Sequence, residues 1–208
     1  MATNYDKIAG NYDLLSRIVF GKAQVASQLC LLKYVPANSR VLVAGGGTGW
    51  ILEAFAKVHP EGLTIDYVDS SAKMLALAGK RKCGTNRVKF IHLPAENYSP
   101  EEKYDVIFTS FFFDNFPASK IEYLFSRFDR LIKKDGTWLY VDFILDKNNS
   151  PLWQKNLLKL MYVFFRVTSQ IETQELVAMD IFFSQSYYPV IEISHYHNFI
   201  KSVAFKKL

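Results

Sequence analysis

Only two cysteines, Cys30 and Cys83, occur among the 208 residues, with no CxxC pair and no Cys/His cluster. That argues against a metal site and a disulfide framework, and predicts two inert thiols in a reducing compartment. The segment opening Met1-Ala2-Thr3-Asn4-Tyr5-Asp6 lacks an apolar signal core. No unbroken apolar run is long enough to span a bilayer. A cytoplasmic protein without a transmembrane segment is expected, with peripheral membrane contact left open. Repeats, linkers and low-complexity stretches are also missing. The net charge of +5 gathers in short clusters such as Lys80-Arg81-Lys82, Lys133-Lys134 and Lys206-Lys207. These read as helix ends and a tail, so no nucleic-acid partner is expected.

What is present is apolar. Half of the residues are hydrophobic and 15% are aromatic, which suits one domain with a sizeable core. Strand-like runs at 40–44, 63–68, 88–93, 104–109 and 137–143 alternate with helix-like segments at 50–58, 71–82 and 119–132. A helix over 22–34 precedes them and is broken by Pro36 and Asn38. Gly136 is expected to end the 119–132 helix as a left-handed cap. Helices are expected over 151–167 and 172–186. Strands 190–196 and 199–206 would be joined by a tight hairpin at His197-Asn198. The implied fold is α/β: a Rossmann-like, doubly wound, mostly parallel seven-stranded sheet with a C-terminal antiparallel hairpin and helices on both faces.

Gly45-Gly46-Gly47-Thr48-Gly49 sits between the first strand and a helix. Glycines there permit positive φ and close approach of a ligand, and the helix offers free N–H groups. Such a turn binds a nucleotide-like ligand at the carboxyl end of a parallel sheet. Asp69, 20 residues after Gly49, ends the second strand. Its carboxylate suits two ribose hydroxyls, or alternatively caps the helix beginning near Ser71. The spacing is G-x-G-x-G, with Trp50 where a dinucleotide fingerprint needs its last glycine, and no P-loop lysine follows.

Four segments resemble, in order and spacing, the motifs of class I S-adenosylmethionine (SAM)-dependent methyltransferases: 41–49, 67–75, 93–97 and 104–110. The resemblance implies SAM as cofactor. It places Gly45, Gly46, Gly47, Thr48 and Gly49 beneath it, Asp69 and Ser70 at the ribose, and Met74, Ala95 and Glu96 at the adenine. Ser110 and Phe111 would face the reacting methyl. Residues 5–13 are similar to the lid of the ubiquinone/menaquinone-type C-methyltransferase group, which puts Tyr12 near the cofactor. Asp114-Asn115 is partly similar to that group's Arg-Asn. The chain then divides into a lid and helix (1–36), a cofactor-binding core (38–145), and a helical cap with the hairpin (146–208) of one domain. Val43, Ser70 and Pro94 depart from the family pattern, which has an acid, an apolar residue and an acid there.

The implied activity is methyl transfer from SAM to a small acceptor, apolar or aromatic. A SAM/SAH-binding protein without transfer is the alternative. Transfer needs orientation, and a weakly acidic acceptor also needs a base. Tyr12 and Phe111 are candidates for an aromatic wall beside the sulfonium. Asp114 and Asn115 are candidates to orient the nucleophile, and His195 is a candidate base. The stretch 153–165 is apolar on more than one face, which suits a cap over an apolar acceptor or a dimer surface, so monomer and homodimer both stay open.

Overall fold

The computed structural model describes residues 5–145, 150–169, 173 and 175–208. Among these, seven strands form one sheet: β1 (Arg40–Ala44), β2 (Thr64–Asp69), β3 (Arg87–His92), β4 (Tyr104–Ser110), β5 (Ile132–Phe143), β6 (Val190–Tyr196) and β7 (Ile200–Lys206). Their order is β3-β2-β1-β4-β5-β7-β6. The first five are parallel, and β7 runs antiparallel to both β5 and β6. The helices are α1 (Tyr12–Phe20), α2 (Ala23–Leu29), α3 (Trp50–Val58), α4 (Ala72–Ala78), α5 (Ala118–Leu131), α6 (Leu152–Ser169) and α7 (Asp180–Gln185).

The near-continuous apolar strands have a direct cause: both faces of the sheet are covered. Val41 and Val43 point into one core with residues of α3 and α6, while Leu42 and Ala44 point into another with residues of α5 and α7. At the amino end of the sheet Arg40 pairs with Asp66 at 2.7 Å. The hydroxyls of Tyr98 and Tyr104 donate to the same carboxylate at 3.0 and 2.7 Å. This polar knot closes that end, and the carboxyl end carries the loops.

Three local expectations are corrected. The 22–34 helix divides, because α2 stops at Leu29 and the chain tightens into a short turn at Leu32–Tyr34. Gly136 does not cap α5: β5 begins at Ile132, immediately after α5, and the left-handed residue is Asp135 at φ 60°. The pairing shifts register between Tyr104 and Val106, absorbing the extra residues as a bulge. Gly136 is there for space, since a Cβ would sit 2.7 Å from Ile132 Cγ1. Of the expected 172–186 helix, Glu172 and Gln174 lie outside the described residues, and α-helix covers only Asp180–Gln185. That short helix delivers Phe183 to stack on Phe205 with ring centroids 3.9 Å apart. The hairpin expected at His197-Asn198 is present, with φ of 53° and 49°, the type I′ geometry whose twist matches the strands.

Candidate functional site

Strand order reverses between β1 and β4: the chain leaves β1 toward β2 and leaves β4 toward β5. The loops after β1 and β4 therefore diverge and leave a crevice at the carboxyl end of the sheet. Gly45, Gly46, Gly47 and Thr48 line it. Gly45 and Gly47 hold φ of 67° and 62°, a region costly for a residue with Cβ. A Cβ on Gly46 would lie 2.1 Å from the Tyr67 ring, so Tyr67 itself fixes that glycine. Gly49 is not among the lining residues. It caps α3 at φ 81°, and a Cβ there would lie 2.5 Å from Ala78 Cα, so it serves the packing of α3 on α4.

Asp69 also lines the crevice and is nearly buried. Its Oδ2 accepts the Gly47 N–H at 2.9 Å and its Oδ1 accepts the Ser71 N–H at 2.8 Å. Burial raises the Asp69 carboxyl above its ordinary value, against the pull of these two backbone donors. The capping alternative does not hold, because Ser71 Oγ accepts the Met74 N–H at 3.1 Å and caps α4 itself. Each Asp69 oxygen thus keeps a lone pair for a hydroxyl donor. Ser70, Met74, Ala95 and Glu96 complete this side, with Val43 and Pro94 among them.

The N-terminal segment closes on the crevice through its two Tyr-Asp pairs. Tyr5 and Tyr12 line it, their rings edge-on at 5.9 Å, and Tyr5 also packs against Phe165 at 5.6 Å. The Tyr5 hydroxyl donates to Asn115 Oδ1. Asp6 accepts from Ser71 Oγ at 2.5 Å and from the Lys73 N–H at 3.1 Å. Asp13 accepts from Thr48 Oγ1 at 2.5 Å and from Arg81 at 2.7 Å. The tyrosines enter the crevice while the acids fasten the segment to elements framing it. In the sequence, the likeness of residues 5–13 to a lid segment is the signal that points here.

At the far end, Ser110 ends β4 and Phe111 follows it, and both line the crevice. Phe111 holds a left-handed φ of 50° while its N–H donates to Val141 O at 2.8 Å. Asn115 lines the wall, and its Nδ2 donates to Asp114 Oδ1 at 2.8 Å and to Phe111 O at 2.9 Å. Asp114 stands behind Asn115. His195 is not brought here: it is exposed on β6, the outer strand, with β7 between it and β5. Asp142, at the carboxyl end of β5, reads in sequence as an ordinary strand residue, yet it lies beside Asp114 and accepts the Asp114 N–H at 3.3 Å. A second, apolar groove of about 250 Å³ runs between Leu15 and Val19 of α1 and Leu157, Leu160 and Phe164 of α6. Tyr12 lines both cavities.

Residues 41–136 match the model of a family described as "Methyltransferase domain". Over 108 residues the chain is 36% identical to malonyl-[acyl-carrier protein] O-methyltransferase 1 of Ilyobacter polytropus, covering 51% of this chain and 39% of that protein. The chain thus spans about two fifths of the length of that relative. Among solved structures, the SAH complex of DhpI superposes with a TM-score of 0.69 at 16% identity, covering 98% of this chain and 93% of that one. A 1,6-didemethyltoxoflavin-N1-methyltransferase of Burkholderia thailandensis, solved with 1,6-didemethyltoxoflavin and S-adenosylhomocysteine, gives 0.64 at 13% identity over 96% and 87%.

Proposed function

We propose that this chain is a class I SAM-dependent methyltransferase that binds SAM in the crevice and moves its methyl group to a small apolar or aromatic acceptor. The observation that carries the reading is Asp69: buried at the end of β2, oriented by two backbone N–H groups, with lone pairs left for a ribose diol. The crevice fits the cofactor on residues present. Gly45 to Thr48 give bare backbone at its floor, Met74 and Ala95 give an apolar shelf for adenine, and Ser70 and Glu96 give polar edges. Tyr12 and Phe111 supply aromatic faces toward a cationic sulfur. SAM, when bound, supplies an electrophilic methyl whose leaving group needs no proton. The chain's own task is then to hold the acceptor in line and keep water out.

The segment carrying Tyr5 to Asp13 serves as the lid, and the groove between α1 and α6 takes the apolar body of the acceptor. We place the protein in the cytoplasm as part of the same proposal. One observation favours a second reading, a SAM- or SAH-binding protein without transfer: Val43 and Pro94 line the crevice where the family has acids, and neither side chain offers a hydrogen bond.

Calorimetric titration with SAM and SAH tests the proposal. One site per chain for both ligands, lost in Asp69→Ala, supports it; no heat from either ligand overturns it. Methyl transfer from labelled SAM to a panel of apolar acceptors separates the enzyme from the binding protein.

A further inference from the structure

α1 and α6 turn large apolar side chains outward. On α1, Leu14, Leu15, Ile18 and Val19 are exposed, Ile18 at 72%. On α6, Trp153, Leu160, Val163, Phe164 and Val167 are exposed, Leu160 at 65% and Val167 at 72%. The two sets adjoin, because Leu15, Val19, Leu160 and Phe164 also line the groove between the helices. They form one apolar surface on either side of that groove. Along α6, Trp153, Leu160, Val163 and Val167 lie three, four or seven residues apart. That spacing makes a stripe distinct from the buried face of Leu158, Met161 and Tyr162.

The exposed charges of these helices have one sign. Lys159 and Arg166, four residues before and three after Val163, flank the α6 stripe, and both are exposed. Arg17 stands three residues after Leu14 on α1, Lys22 follows the end of that helix, and both are exposed as well. α6 has no acid, and the single acid of α1, Asp13, is held by Arg81 and Thr48. This arrangement separates the candidate occupants. In a two-fold dimer the surface would meet itself and set these cations against one another. Protein interfaces favour Tyr, Trp and Phe, whereas this surface is mostly Leu, Ile and Val. An anionic lipid surface suits both features: aliphatic side chains enter at the acyl chains, and Lys and Arg reach back to the headgroup phosphates. Neither helix is long and apolar enough to cross a membrane, so each would lie along the interface.

We propose that the outer face of α1 and α6 docks on an anionic lipid surface, with Ile18, Leu160, Val163 and Val167 entering it and Arg17, Lys159 and Arg166 at the headgroups. Docking in this way turns the mouth of the groove toward the acyl chains. The docked face is continuous with the segment that closes the crevice, because α1 also carries Tyr12 and Asp13. The proposal goes beyond the cofactor reading and does not depend on it.

The test is sedimentation of the full chain, without SAM, with vesicles of phosphatidylcholine alone and of phosphatidylcholine mixed with phosphatidylglycerol. The mixed vesicles should bind at least about tenfold more tightly, and high salt should remove most of that difference. Trp153 emission should shift to the blue on binding, a shift lost in Trp153→Phe. Ile18→Asn with Val167→Asn, and separately Lys159→Gln with Arg166→Gln, should each weaken binding at least about tenfold while circular dichroism stays unchanged. No binding to the mixed vesicles, equal binding to both compositions, or unchanged binding in the two folded double variants would each overturn the proposal. So would dimerisation in sedimentation velocity that Ile18→Asn with Val167→Asn abolishes, since a second copy would then cover the face. Titration with SAM in the absence of vesicles reports on the cofactor reading by itself, so the two can fail separately.

Discussion

Asp13 and Arg81 meet at 2.7 Å beside the glycine turn, and both also hold Thr48, Asp13 through its hydroxyl and Arg81 through its carbonyl. The start of α1 is thereby tied to the turn on which the proposed cofactor rests. Both side chains are about a quarter exposed, so the pair itself contributes only roughly 0.5–1 kcal/mol to global stability. Its effect is local. Asp13→Ala should leave Tm nearly unchanged but speed hydrogen exchange across residues 5–20 and lower SAM affinity. Unchanged exchange in that segment would show that the tie does not hold it.

Asp69→Ala should weaken SAM binding about tenfold or more, as expected on losing a charged acceptor. It also strips the Gly47 and Ser71 N–H groups of their partner, so the folded baseline needs checking by circular dichroism. Asp69→Asn should fall between the two, because the amide oxygen still accepts. Equal affinity for all three proteins would remove Asp69 from the cofactor site.

Neighbouring glycines should respond in different ways. Gly46→Ala drives a methyl into Tyr67, a fully buried ring, and should cost about 1–3 kcal/mol of stability by overpacking. At Gly47 a Cβ meets nothing within 4 Å. Gly47→Val should therefore leave a folded chain, strained at its left-handed φ by roughly 1–2 kcal/mol, with cofactor binding blocked. Urea denaturation and SAM titration of the two variants separate these effects.

Burial lifts the Asp114 carboxyl to about 7, and burial together with the charge of Asp114 lifts Asp142 well above the usual carboxylate range. The two titrate as a unit. Both shifts are upward, so between an unfolded carboxyl value of about 4 and the folded value the native state binds more protons than the unfolded chain. Stability contributed by the pair is present at acid pH and is lost as pH rises through about 7. Tm should therefore fall from mildly acid to mildly alkaline solution more steeply in the wild type than in Asp142→Asn. Parallel curves would show that the pair does not titrate there.

Much of the sheet could be read from the sequence because β1, β2, β4 and the second part of β5 are buried on both faces, and burial writes itself as short apolar runs between turn residues. The hairpin was legible for a stereochemical reason: His197-Asn198 takes two positive φ values in succession. The α5–β5 junction was not, because nothing local distinguishes a glycine that caps a helix from one that makes room for Ile132. The glycine turn and Asp69 carry their chemistry in spacing, whereas Asp6 meets Ser71 across 65 residues of chain, and no local pattern encodes that. Asp142 was missed because one carboxylate at a strand end says nothing until Asp114 arrives from the loop after the neighbouring strand. His195 misled because a strand places side chains by sheet position, and β6 is the outer strand.

The place of β7 bears on how the chain is made. It follows every other strand in sequence, yet it sits inside the sheet, between β5 and β6. A nascent chain emerging from the ribosome can pair β1 to β5 in succession, but one edge of β5 then stays open, with Trp138 and Tyr140 waiting for Phe205 and Val203. An open, apolar edge of that kind invites pairing with another chain. The interval between synthesis of β5 and β7 is therefore the period in which that edge is open to pairing with another chain.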